Sequence, residues 1–131
     1  MGAWENGPFD NDSALDGIED IREGSLSDWL DDVYSEYLEE KYLDSDVGST
    51  VVAMSALIVG FRYEGHEDEQ KREWDRYVSF LSRKEVKRLK KLLKIVLTSR
   101  KRSELYELWA DDPVAFEEWE RIGKNIYKQL R

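Results

Sequence analysis

Asp10, Asn11, Asp12 and Asp16 carry the carboxylate and amide oxygens that Mg²⁺ or Ca²⁺ takes as ligands. They are not an EF-hand loop, because Leu15 stands at the glycine position and Ile21 at the bidentate acid position. Helix capping and the preference of negative charge for a helix N-terminus account for all four residues without a metal. His66-Glu67-Asp68-Glu69-Gln70 opens like a zinc-protease motif, but Gln70 replaces the second His and the surrounding stretch reads as loop. His66 is also the sole histidine, and no Gly-x-Ser-x-Gly elbow supplies a nucleophile for it to activate. The expectation is no catalytic residue, no metal and no cofactor.

Two runs of charge carry the remaining signal. Lys84, Lys87, Arg88, Lys91 and Lys94 line the outer face of one amphipathic helix, and Arg100-Lys101-Arg102 follow it. Such a strip can neutralise phosphates with salt-dependent affinity. No helix-turn-helix or stacking-aromatic motif accompanies it, and the net charge of −9 opposes long-range attraction to nucleic acid. Pairing within the fold, or with an acidic protein partner, explains the strip better. Asp31, Asp32, Glu36, Glu39 and Glu40 occupy the polar positions of another helix and could receive a basic protein partner.

The charge is polarised along the chain. Residues 1–46 hold 15 acidic and 2 basic residues, whereas residues 83–102 hold 10 basic and 1 acidic. The halves either pair internally or present partners with two opposite faces. The 131 residues, 40% hydrophobic with five Trp, suffice for one domain with a core, spanning residues 1–131. The absence of Cys removes disulfides, thiolate nucleophiles and Cys zinc sites, and fits a reducing cytoplasm. No basic region followed by an apolar run marks a signal peptide, and Asn6 breaks a myristoylation start. The longest apolar run, residues 47–61, is too short to span a bilayer and contains Ser49, Thr50 and Ser55.

Helix signals dominate along the chain. Asp10 or Asp12 caps a first helix reaching about Arg22, and Ser25 or Ser27 caps a second. The second carries Leu26, Trp29, Leu30, Val33, Tyr37 and Leu38 at helical spacing. Residues 44–48 read as a break before an apolar central helix over 51–61. Residues 60–70 read as loop, and 73–81 as a short helix. Ser82-Arg83-Lys84-Glu85 is a capping box opening the basic helix, with Val86, Leu89, Leu92, Leu93, Val96 and Leu97 inward. Ser103 caps a further turn or two with Leu105, Leu108 and Trp109, and Asp112-Pro113 starts the last helix with Phe116, Trp119, Ile122, Ile126 and Leu130. Trp29, Trp109 and Trp119 lie on apolar stripes and belong to the core. The fold expectation is all-α: a single compact bundle of five or six helices.

The N-terminus, Met1-Gly2-Ala3-Trp4-Glu5-Asn6-Gly7-Pro8-Phe9-Asp10-Asn11-Asp12, is unusually rich in aromatic and turn residues. It resembles the start of a bacterial family known as domain of unknown function family 4259, Met-Gly-Ala-Trp-Gly-x-Gly-x-Phe-Asp-Asn-Asp. Glu5 stands where the family has Gly. Ala14 and Asp16, the Tyr37-Leu38-Glu39 segment before the apolar helix, and the Ser103-to-Trp109 block extend the likeness over nearly the whole chain. The resemblance implies no activity and no catalytic residue. Trp4 matches no periodic stripe, so it is expected to lid the bundle, with Phe9 stapling the first helix and Asp10 or Asp12 capping it: an ordered N-terminal clasp.

The functional expectation is a non-enzymatic, cytoplasmic protein-binding module of immunity or antitoxin type. The alternatives are a small metal-dependent hydrolase using the N-terminal carboxylates, or nucleic-acid binding through residues 83–102.

Overall fold

The computed structural model describes residues 26–59 and 82–130, and these form five helices. They are α1 (Leu26–Glu40), α2 (Ser45–Ile58), α3 (Arg83–Thr98), α4 (Glu104–Ala110) and α5 (Pro113–Gln129). The all-α expectation holds. The clasp residues Trp4, Phe9, Asp10 and Asp12, the helix before α1, His66 and the 73–81 helix lie outside the described residues.

The starts of α3, α4 and α5 each have a local cause. Ser82 and Glu85 form the expected capping box: Glu85 N donates to Ser82 Oγ at 3.2 Å, and Ser82 N donates to Glu85 Oε1 at 3.1 Å. Asp112 Oδ1 accepts from Val114 N and Ala115 N, both at 3.2 Å, just before Pro113. Ser103 Oγ accepts from Tyr106 N at 3.2 Å at the head of α4. The same hydroxyl donates to Val96 O at 3.0 Å, so one buried side chain closes the end of α3 and opens α4.

The break expected over residues 44–48 is shorter and earlier. Asp44 Oδ1 accepts from Val47 N at 2.9 Å and caps α2 from residue 45. Gly48 therefore lies inside the helix, where a Cβ would come within 3.2 Å of Leu105 Cβ. The glycine serves close helix approach rather than termination. The turn before it runs through Lys41, whose φ of 59° is left-handed. Leu43 then pairs with Ser103 in an isolated parallel bridge: Leu43 N donates to Arg102 O at 2.7 Å and Glu104 N to Leu43 O at 3.0 Å.

The core forms where apolar stripes converge on α2, which is apolar nearly all round. Val51, Val52, Ala53, Met54 and Ala56 are buried, and they meet Leu89, Leu92, Leu93, Val96 and Leu97 of α3. A second centre is aromatic. Trp109 stacks on Trp119 with ring centroids 5.9 Å apart, and Tyr106 meets Phe116 edge-on at 4.9 Å. On α5, Gly123 is buried, and a Cβ there would overlap the Leu97 side chain. Leu38 corrects the expected α1 stripe: it is 46% exposed, whereas Leu30, Val33 and Tyr37 are buried.

Helices α1 and α3 run parallel and in register. Asp31 meets Arg88 and Tyr34 meets Lys91, each pair 57 residues apart in sequence. This seam positions both charged strips.

Candidate functional site

The acidic strip of α1 and the basic strip of α3 meet at one ion pair. Arg88 NH1 donates to Asp31 Oδ1 at 2.8 Å, with both side chains partly exposed. Tyr34 fills the rest of the seam. The Arg88 guanidinium stands 5.2 Å from its ring centroid and Lys91 Nζ 5.6 Å, while Lys91 Nζ also donates to Tyr34 Oη at 3.3 Å. Tyr34, Lys84, Lys87, Arg88 and Lys91 together line an open groove on this side. Internal pairing of the strips is therefore partial. Lys84, Lys87 and Lys94 project outward, with no ion-pair or hydrogen-bond partner for their side chains among the described residues.

Above this seam sits Glu85, which belongs to the capping box and faces α1. Its carboxyl is held below the usual carboxylate range, first by the Ser27 hydroxyl, then by Ser82 and Arg88, against the opposing effect of burial. Glu85 Oε2 is buried with no hydrogen-bond partner among the described residues.

Four further acidic residues of α1 divide by direction. Asp32 and Glu39 point to solvent on the outer face. Glu36 and Glu40 instead turn toward the α1–α2 connection, where the Lys41 turn and the Leu43 bridge fold the chain back. There they and Asp44 edge a small pocket floored by Val33, Tyr37, Leu43 and Val47 and flanked by Tyr42. It encloses about 50 Å³. That volume suits a side-chain head group, and it falls well short of the several hundred Å³ typical of small-molecule sites.

The electrostatics at the pocket are negative. The Tyr42 hydroxyl is raised above its usual value, first by burial and then by Glu104, Glu107 and Asp44. Glu104 is itself tied down, accepting from Ser45 N at 2.7 Å. Asp44 is likewise engaged as the α2 cap. Glu36 and Glu40 have no ion-pair or hydrogen-bond partner among the described residues. The nearby cations are spent on Tyr37: Lys41 Nζ lies 5.8 Å from its ring centroid, and Arg102 NH1 donates to its hydroxyl at 3.2 Å.

Sequence reasoning placed Glu36 and Glu40 among five equivalent acids and missed Tyr42 and Asp44. The only local signal for Asp44 was its capping position before the apolar helix. Nothing local announces the pocket, because its walls depend on pairing residue 43 with residue 103. Among the described residues no group of three or more His, Cys, Asp or Glu side chains is arranged to hold a metal ion. None of the described helices is long and apolar enough to cross a membrane. The candidate N-terminal metal ligands Asp10, Asn11, Asp12 and Asp16 lie outside the described residues.

No curated protein and no solved structure matches the chain. One family model does, over residues 2–121, a span that takes in all five helices except the last turns of α5. The chain thus belongs to the family described as Domain of unknown function (DUF4259).

Proposed function

We propose that this chain is a non-enzymatic protein-binding module of immunity or antitoxin type, which receives a basic side chain of its partner in the pocket beside α1. The observation that carries the reading is the pairing of shape and charge there: an apolar floor too small for a metabolite, edged by the carboxylates of Glu36 and Glu40, which have no ion-pair partner among the described residues. A Lys or Arg inserted from a partner would lay its aliphatic stem on Val33, Leu43 and Val47 and place its charge between the two acids. The net charge of −9 supports rapid, steered association with a basic protein. A cytoplasmic setting accords with the absence of Cys.

The reading refines the expected binding strip. Asp31 is occupied by Arg88, and Asp32 and Glu39 face away from the pocket, so Glu36 and Glu40 carry the specificity. The test is capture from a native lysate by wild-type protein and by Glu36→Gln/Glu40→Gln. A basic protein retained by the wild type and lost from the variant is the expected result. Equal retention by both, or retention of acidic proteins alone, contradicts it.

A further inference from the structure

We infer that a second copy of this chain docks on the α1/α3 face, related by a twofold axis, with the acidic outer edge of each α1 lying on the basic outer edge of the other copy's α3. Both halves of this contact are present in one molecule. Because α1 and α3 pack side by side, their outward residues share one surface, acidic along α1 and basic along α3. Asp32 and Glu39 on α1, and Lys87 and Lys94 on α3, are all exposed and have no ion-pair partner among the described residues.

The spacing of these residues fits a symmetric contact. Asp32 and Glu39 are seven residues apart, as are Lys87 and Lys94. At the rise of an α-helix both spacings are about 10.5 Å. The two helices are parallel with an offset of 57 residues, so Lys87 lies level with Leu30 and Lys94 with Tyr37. A twofold axis lying in the contact plane, between α1 and α3 and along them, lays α1 of one copy parallel on α3 of the other. Asp32 then lies two residues, about 3 Å, beyond the level of the other copy's Lys87, and Glu39 the same distance beyond its Lys94, within the reach of a lysine side chain. Because the axis runs along both helices, the two copies overlap over their full length. The symmetry generates four ion pairs, and a closed twofold dimer is the commonest form of self-association. The apolar component is Leu38, one turn beyond Tyr34 and 46% exposed.

The magnitude sets how the association must be observed. Two helices of about 22 Å, side by side, offer well under the area of a stable permanent interface. Exposed ion pairs are individually weak and screened by salt. The dimer is therefore a weak one that forms at low ionic strength and dissolves as salt rises.

This inference does not rest on the pocket reading, since none of its four residues lines the pocket. The experiment is sedimentation equilibrium of the full chain up to about millimolar concentration, in about 20 mM and about 500 mM NaCl. Wild type is expected to dimerise in low salt, with a dissociation constant raised at least about tenfold in high salt. Asp32→Lys/Glu39→Lys carries two positive edges and Lys87→Glu/Lys94→Glu two negative ones. Each alone is expected to be monomeric, and an equimolar mixture is expected to dimerise. Circular dichroism checks that the exposed substitutions leave the helices intact. A wild type that stays monomeric in low salt, as it would if the face served an acidic partner or a polyanion, overturns the inference. So does a dimer that ignores salt, or a mixture that fails to associate.

Discussion

Among the described residues Ser82 and Ser103 are helix N-caps, and they should differ several-fold in what their hydroxyls contribute. Ser82 is exposed and its bonds close a capping box with Glu85. Removing it in Ser82→Ala should cost about 0.5–1 kcal/mol, the usual price of an exposed cap. Ser103 is fully buried, and its hydroxyl both accepts from Tyr106 N and donates to Val96 O. Val96 O belongs to the last turn of α3, where carbonyls lack an intrahelical donor. Ser103→Ala thus removes a cap worth about 1 kcal/mol and strands a buried carbonyl at about 1–3 kcal/mol. The sum, about 2–4 kcal/mol, corresponds to a fall in Tm of roughly 6–20 °C for a domain of this size. Denaturant titration of both variants beside the wild type reads the difference directly. Ser103→Gly isolates the carbonyl, because glycine is itself a tolerable N-cap. Equal losses in Ser82→Ala and Ser103→Ala would refute the double role assigned to Ser103.

Gly123→Ala forces a Cβ into Leu97, so overpacking of about 1–3 kcal/mol should outweigh the helix-propensity gain of about 1 kcal/mol. Gly48→Ala meets Leu105 Cβ at 3.2 Å and should be the milder of the two, with thermal melting deciding the order. A double-mutant cycle on Arg88 and Asp31 should give a coupling of about 0.2–1 kcal/mol that fades in salt, since both side chains are partly exposed. The depressed Glu85 carboxyl adds stability that is present above its unfolded value near 4.5 and is lost as pH falls through the lower folded value. Glu85→Gln should therefore be less stable than wild type at neutral pH, with the gap narrowing in acid; a gap independent of pH would contradict the shift.

The elements of the fold were legible where their causes are local. Ser82-x-x-Glu85, Ser103 and Asp112-Pro113 mark helix starts within four residues, and each caps as its chemistry requires. The inward stripe of α3 was equally clear, since a 3.6-residue period needs no knowledge of its neighbours. Gly48 misled because glycine commonly stops a helix, whereas here it lets α2 approach Leu105. Leu38 misled because periodicity shows which side of a helix is apolar, not how far its neighbours extend over that side. The pocket was hidden for a different reason. Its shape depends on the left-handed turn at Lys41 and on the pairing of Leu43 with Ser103, and a contact across 60 residues leaves no local pattern. The acids were visible in the sequence, but their sorting into paired, outward and pocket-facing groups was set by the packing of α1 against α3 and α2.

The central claim is that Glu36 and Glu40 form a receptor for a basic side chain. An NMR titration of the full chain with a short Lys- and Arg-containing peptide tests it most directly, because amide shifts locate the contact. The account predicts shifts concentrated at Val33, Glu36, Tyr42, Asp44 and Val47, and their loss in Glu36→Gln/Glu40→Gln. Shifts confined to other surfaces, or unchanged in that variant, would contradict it.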